Sequence, residues 1–67
     1  MLISSFFKEE TEGRMRADVI MEGGGYQIRY YDLSGDRFKS EDFPGKSLRF
    51  VEDAAENWTM GIKTLNG

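Results

Sequence analysis

The sequence predicts an α+β fold: an antiparallel meander of three strands, or four if the first apolar run joins it, with one C-terminal amphipathic helix packed on one sheet face. Three observations carry this. Apolar and polar residues alternate over 14–22, the period of a half-buried strand. Glycine-rich turn signals at Gly23, Gly24 and Gly25 and again at Gly35 separate that stretch from two further strand-like stretches. Leu48, Val51, Ala55, Trp58 and Ile62 then recur at helical spacing.

Taken in order, residues 2–7 form a short apolar run of strand length. It is expected as an edge strand, as an arm over the core or as a segment exchanged with another subunit. Over 14–22, Met15, Ala17, Val19 and Met21 share one face, while Arg14, Arg16, Asp18, Ile20 and Glu22 share the other. A two-residue loop at Gly23 and Gly24, where positive φ is needed, pairs Met21 with Tyr26, Val19 with Ile28 and Ala17 with Tyr30. The second strand spans 26–32 and turns through Asp32 to Asp36, with Gly35 closing a type I turn. The third spans 37–43. There a regular register sets Tyr30 against Phe38 and turns Phe43 outward, whereas a bulge near Ser40 turns Phe43 inward.

Pro44 and Gly45 end the sheet, and Ser47 is placed to cap a helix over 48–63. Glu52 and Asp53 near its start and Lys63 near its end suit the helix dipole, and Gly61 weakens the last turn. The expected core is Met15, Val19, Met21, Tyr26, Ile28, Tyr30, Phe38, Leu48, Val51, Ala55, Trp58 and Ile62. All of it belongs to one small domain, 1–67.

With 67 residues and no cysteine, the chain has a thin margin of burial and no disulfide framework. Tight packing or oligomerisation is what remains to stabilise it. It also has no histidine, the commonest general base and metal ligand. A net charge of -3 argues against coating nucleic acid or anionic membrane by bulk electrostatics. No membrane span and no secretory leader are legible, and an intracellular location is expected.

Motifs with chemistry are weak. Gly45-Lys46-Ser47 resembles the end of a phosphate-binding loop, but the pattern needs glycine where Ser40 stands. Glu52, Asp53 and Glu56 converge on one helical face without the additional ligands a cation requires. Nothing opposes two of these carboxylates across a cleft, as glycoside hydrolysis demands. No catalytic residue, cofactor or metal is therefore expected.

Two surfaces stand out instead. Phe50, Ala54, Asn57 and Gly61 form a strip beside the core stripe, with small residues around an aromatic anchor; together with Phe6 and Phe7 they form an expected protein interface. Arg14, Arg16, Arg29, Arg37 and Lys39, with Tyr31 among them, are expected on the outer sheet face, a possible phosphate- and base-contacting surface.

In topology, 14–62 resembles the plant AP2-type DNA-binding domain and the amino-terminal domains of some integrases, which implies contact with DNA through the sheet. The tryptophan-rich strands of the AP2 pattern are lacking here, so no residue is carried over. In wording, "YQIRYYDLSGDRFKSEDFPGKSLRFVEDAAENWTMGI" over 26–62 resembles small proteins of tailed phages infecting marine cyanobacteria, in which a "GKSLR...EDAAENW" core recurs. That resemblance implies a phage accessory protein in the host cytoplasm and brings no activity with it. The expected function is thus a small non-enzymatic protein acting by protein–protein interaction as a homodimer, with a host protein as a further partner. Nucleic-acid binding through the sheet is the alternative, and no membrane partner is expected.

Overall fold

The hairpin with the cleanest alternation forms the middle of the sheet. The computed structural model describes residues 1–65, with β1 (Leu2–Phe7), β2 (Arg16–Glu22), β3 (Gly25–Tyr31), β4 (Arg37–Phe43) and α1 (Leu48–Thr59) in chain order. The strands make one antiparallel sheet in the order β1-β2-β3-β4. The first apolar run is therefore a fourth strand, at an edge. Positions 66 and 67 of the expected domain lie outside the described residues.

Between β2 and β3 the register is the one the glycines predict: Met21 faces Tyr26, Val19 faces Ile28 and Ala17 faces Tyr30. Gly23 and Gly24 hold φ of 62° and 79°, which only glycine adopts without strain. The strand itself starts later than expected. Glu10, Glu12 and Gly13 take positive φ, and Arg14 donates its N–H to the Thr11 carbonyl at 3.1 Å, so Arg14 and Met15 belong to the turn.

The β3–β4 loop closes as expected, with Gly35 at φ 84° and its N–H on the Asp32 carbonyl at 2.8 Å. The bulge falls at Phe38 rather than near Ser40. Tyr31 pairs with Arg37 and Tyr30 with Lys39, so Phe38 is the extra residue. Everything beyond it changes face: Lys39, Glu41 and Phe43 share the side of Tyr30, Ile28 and Tyr26. Phe43 is accordingly buried. A second irregularity, at Ile3 between Leu2 and Ser4, puts Ile3 beside the core while Leu2 stays on the outer face.

Helix α1 lies over β2, with β1 and β3 on either side. Ser47 caps it, its Oγ accepting the Phe50 N–H at 3.2 Å. The helix ends at Thr59, earlier than the expected 48–63. Gly61 turns left-handed at φ 79°, donating to the Trp58 carbonyl at 3.1 Å while Ile62 N–H reaches the Asn57 carbonyl at 2.8 Å, the paired bonds of a Schellman stop. Ile62 is thereby thrown out of the core, 69% exposed. The first turn holds no acid and the last no base, so Glu52, Asp53 and Lys63 do not serve the dipole as expected. The cation at the helix C-terminus comes from elsewhere: Lys8 Nζ donates to the Trp58 and Thr59 carbonyls at 3.2 and 3.4 Å.

The core comprises Ala17, Val19, Ile28, Tyr30, Phe43, Val51, Ala55 and Trp58, with Ile3, Phe6, Met15, Tyr26, Leu48, Ala54 and Leu65 packed around it. Met21 and Phe38 are corrections to the expected core, both substantially exposed. Phe38 nonetheless lies on the rim, its ring centroid 6.3 Å from that of Trp58.

Candidate functional site

The expected basic face loses much of its free charge on folding. Arg16 Nε donates to both oxygens of Asp18 at 3.1 and 3.2 Å, and its guanidinium lies 3.8 Å from the centre of the Tyr31 ring. Arg29 donates to Glu22 at 2.7 Å and to Gln27 at 2.8 Å. Asp18 is only 7% exposed although it lies on this outer face; Arg16 and the Ser5 hydroxyl, at 2.7 Å, satisfy it. Arg37 stays on the exposed outer side. Two residues are not where the alternation put them. Arg14 is in the turn, its Nε on the Thr11 carbonyl, and Lys39 shares the helix-side face with Tyr30.

The expected interface residues are also divided. Phe6 packs on the core opposite Ala17, and Phe7 points to the outer face opposite Arg16, 54% exposed. Phe50 lies at the other edge, its ring 6.1 Å from that of Phe43 on β4 and beneath Lys46 Nζ at 4.9 Å. Ala54 is packed against the core. Asn57 and Gly61 supply the main-chain groups of the helix stop, so of that strip Phe50 alone projects as an apolar anchor.

Elsewhere the polar groups serve the fold. Gly45 and Ser47 make the turn and cap expected of them. Glu52 accepts the Ser4 hydroxyl at 2.7 Å. Tyr30 donates to Glu41 Oε1 at 2.8 Å, with Lys63 Nζ 3.6 Å from the same oxygen. Burial, then the hydrogen bond and charge of Glu41, raise the Tyr30 phenol well above its ordinary pKa. Among the described residues no group of carboxylates converges to hold a metal ion, and no helix is long and apolar enough to cross a membrane.

What the structure brings forward is the contrast between the two edges of the sheet. The edge strand β4 carries Arg37, Lys39, Glu41 and Asp42 and runs into Pro44; charge and proline are devices that block edge pairing, whereas a bulge is common to both edges, at Phe38 in β4 and at Ile3 in β1. Residues 63–65 also run beside it, joined by the Lys63–Glu41 pair. By contrast β1 reads Leu-Ile-Ser-Ser-Phe-Phe, with neither charge nor proline, and among the described strands only β2 pairs with it. Leu2 and Phe7 stand 57% and 54% exposed, both on the outer face, opposite Ile20 and Arg16.

The main chain of β1 offers partners too. Lys8 N–H donates to the Met15 carbonyl at 3.0 Å and Met21 N–H to the Met1 carbonyl at 2.8 Å. Bonded and non-bonded pairs alternate along an antiparallel ladder. Counting inward from both ends, Leu2–Ile20, Ser5–Asp18 and Phe7–Arg16 are the non-bonded pairs, so the amides and carbonyls of Leu2, Ser5 and Phe7 point away from the sheet. Sequence reasoning did not single out Leu2 and Ser5, which the structure places on this edge. The signal was present in the lack of charge over 2–7 beside the charge over 37–42, but it acquires meaning only once both are known to be edges. No protein-family model, curated protein or solved structure matches the chain.

Proposed function

We propose that this chain is a small non-enzymatic interaction protein that works as a homodimer. One observation carries the proposal: of its two sheet edges, β4 is blocked and β1 is left open, uncharged and flanked by two exposed apolar side chains. An open edge of this kind is a template for a further strand. The small core gives the chain a reason to use it. The resemblance of 26–62 to proteins of cyanobacterial phages supports reading this as an accessory function in the host cytoplasm, with a host protein as the further partner. Nucleic-acid binding ranks below it, because Arg16 and Arg29 are held by Asp18 and Glu22 and Tyr31 is covered on one side by Arg16.

Multi-angle light scattering over a concentration series tests the proposal. The expected result is a mass rising toward twice 7.7 kDa, which Ser5→Lys on the open edge returns to the monomer value. A mass that stays at 7.7 kDa across the series would reject the homodimer.

A further inference from the structure

Resting on the homodimer reading, the geometry points to one way of joining two copies: β1 pairs antiparallel with β1 of a second copy about a two-fold axis at Ser5, giving a continuous eight-stranded sheet. A strand that pairs with itself must set residues of the same face opposite each other, so the axis passes through a residue. Centred on Ser5, whose side chain is on the outer face with Asp18, the ladder sets Ser5 against Ser5 and Ser4 against Phe6. Ile3 is the extra residue of β1 and is skipped, so Leu2 next meets Phe7. The three positions whose amides and carbonyls point outward, Leu2, Ser5 and Phe7, thereby bond one another. The two exposed apolar side chains of β1, Leu2 and Phe7, become cross-strand neighbours on one face, twice. That match between free main chain, side-chain face and bulge selects a second copy over an unrelated strand.

The helices allow it. Such an axis is normal to the sheet and leaves both helices on one side. Each lies over its own β2, and the two β2 strands are then three strand spacings apart, about 14 Å. Packed helices approach to roughly 8–10 Å, so the two run side by side without overlap.

The chain has no cysteine, so Ser5→Cys places a single thiol on the proposed axis, and its Cα–Cα separation from its counterpart, about 5.5 Å for a bonded pair, suits a disulfide. Oxidation should convert Ser5→Cys to a covalent dimer, while Ser34→Cys in the β3–β4 turn stays monomeric on a denaturing gel. Because Ser5→Cys also removes the hydrogen bond to Asp18, amide hydrogen exchange on the unaltered chain gives a second measurement. Protection at Leu2, Ser5 and Phe7 should be present in concentrated protein and lost on dilution. If light scattering shows a dimer but Ser5→Cys fails to link, those amides stay unprotected and Phe50→Cys links instead, this register is overturned and the homodimer stands. If light scattering shows only monomer, both fall.

Discussion

Tyr30 meets Trp58 edge-on, their ring centroids 5.1 Å apart and the planes at 63°, and this contact joins sheet to helix. Tyr30 is fully buried and Trp58 nearly so. Phe38 shields the rim of the pair, and Lys8 Nζ lies 5.3 Å from the centre of the Trp58 ring while it caps the helix carbonyls. The only tryptophan thus holds the helix to β3, to β4 and to the residue that follows β1.

Replacing it should be severe. Trp58→Ala empties the largest side chain of the junction and is expected to cost about 3–5 kcal/mol. Trp58→Phe, which keeps an aromatic edge toward Tyr30, should cost clearly less. Urea unfolding followed by far-ultraviolet circular dichroism measures both. Equal losses would mean that a benzyl ring kept against Tyr30 contributes nothing, by volume or by geometry.

The hydroxyl of Tyr30 makes stability sensitive to alkali. Its phenol is raised in the fold, first by burial and then by Glu41, so the folded state favours the protonated form. An unfolded tyrosine ionises near pH 10. The stabilisation is therefore complete below about pH 10 and declines above it, by about 1.4 kcal/mol per pH unit for one proton. Tyr30→Phe should remove that one-proton slope between about pH 10 and 11. Unfolding free energies across this range check it, and an unchanged slope would assign the alkaline loss to other groups.

The parts of the fold that local chemistry decides were legible. Gly23 and Gly24 determine the hairpin register, Gly35 the second loop, and Ser47 the helix start, because each acts on its own few neighbours. The bulge at Phe38 was legible only as a conflict: Phe38 and Phe43 cannot both face inward in an unbroken strand, and where the extra residue falls is set by packing against Tyr30 and Trp58. The helix end was misjudged because Ile62 continues the apolar stripe, yet the left-handed Gly61 stops the helix before it. The open edge was hidden for a different reason. That Leu2–Phe7 is an edge strand was one of three expected placements, and the structure selects it; that its edge is the open one depends on which strand lies at the opposite edge, and no local residue states that.

Glycine positions give a cleaner backbone test. An added Cβ would meet nothing within 4 Å at Gly24, Gly25 or Gly61, so any cost of alanine is conformational. Gly24 and Gly61 have φ of 79° each, and Gly24→Ala and Gly61→Ala should each destabilise by about 1 kcal/mol. Gly25 lies in β3 outside the left-handed region, and Gly25→Ala should be neutral or slightly stabilising. Thermal unfolding of the three variants decides it, and a Gly25→Ala loss as large as the others would remove the conformational explanation.

Salt separates the two functional readings by sign. In the proposed dimer the flank of each helix facing β1 carries Glu52, bound to Ser4, and Glu56, which lines a shallow groove with Phe6 and Phe7. About the two-fold axis these flanks face each other from helix axes about 14 Å apart, so like charges oppose association, and the Debye length, about 10 Å at 0.1 M, lets salt relieve the repulsion. Raising sodium chloride from about 50 to 500 mM should tighten the dimer by about two- to threefold, and Glu56→Gln should remove most of that gain. Binding to nucleic acid would weaken steeply over the same range, because cations return to the phosphates. Sedimentation velocity on the protein alone and fluorescence anisotropy with a labelled oligonucleotide measure the two responses side by side. Association that weakens with salt would count against the facing acidic flanks, and tight, salt-sensitive oligonucleotide binding would move the function to the outer face of the sheet.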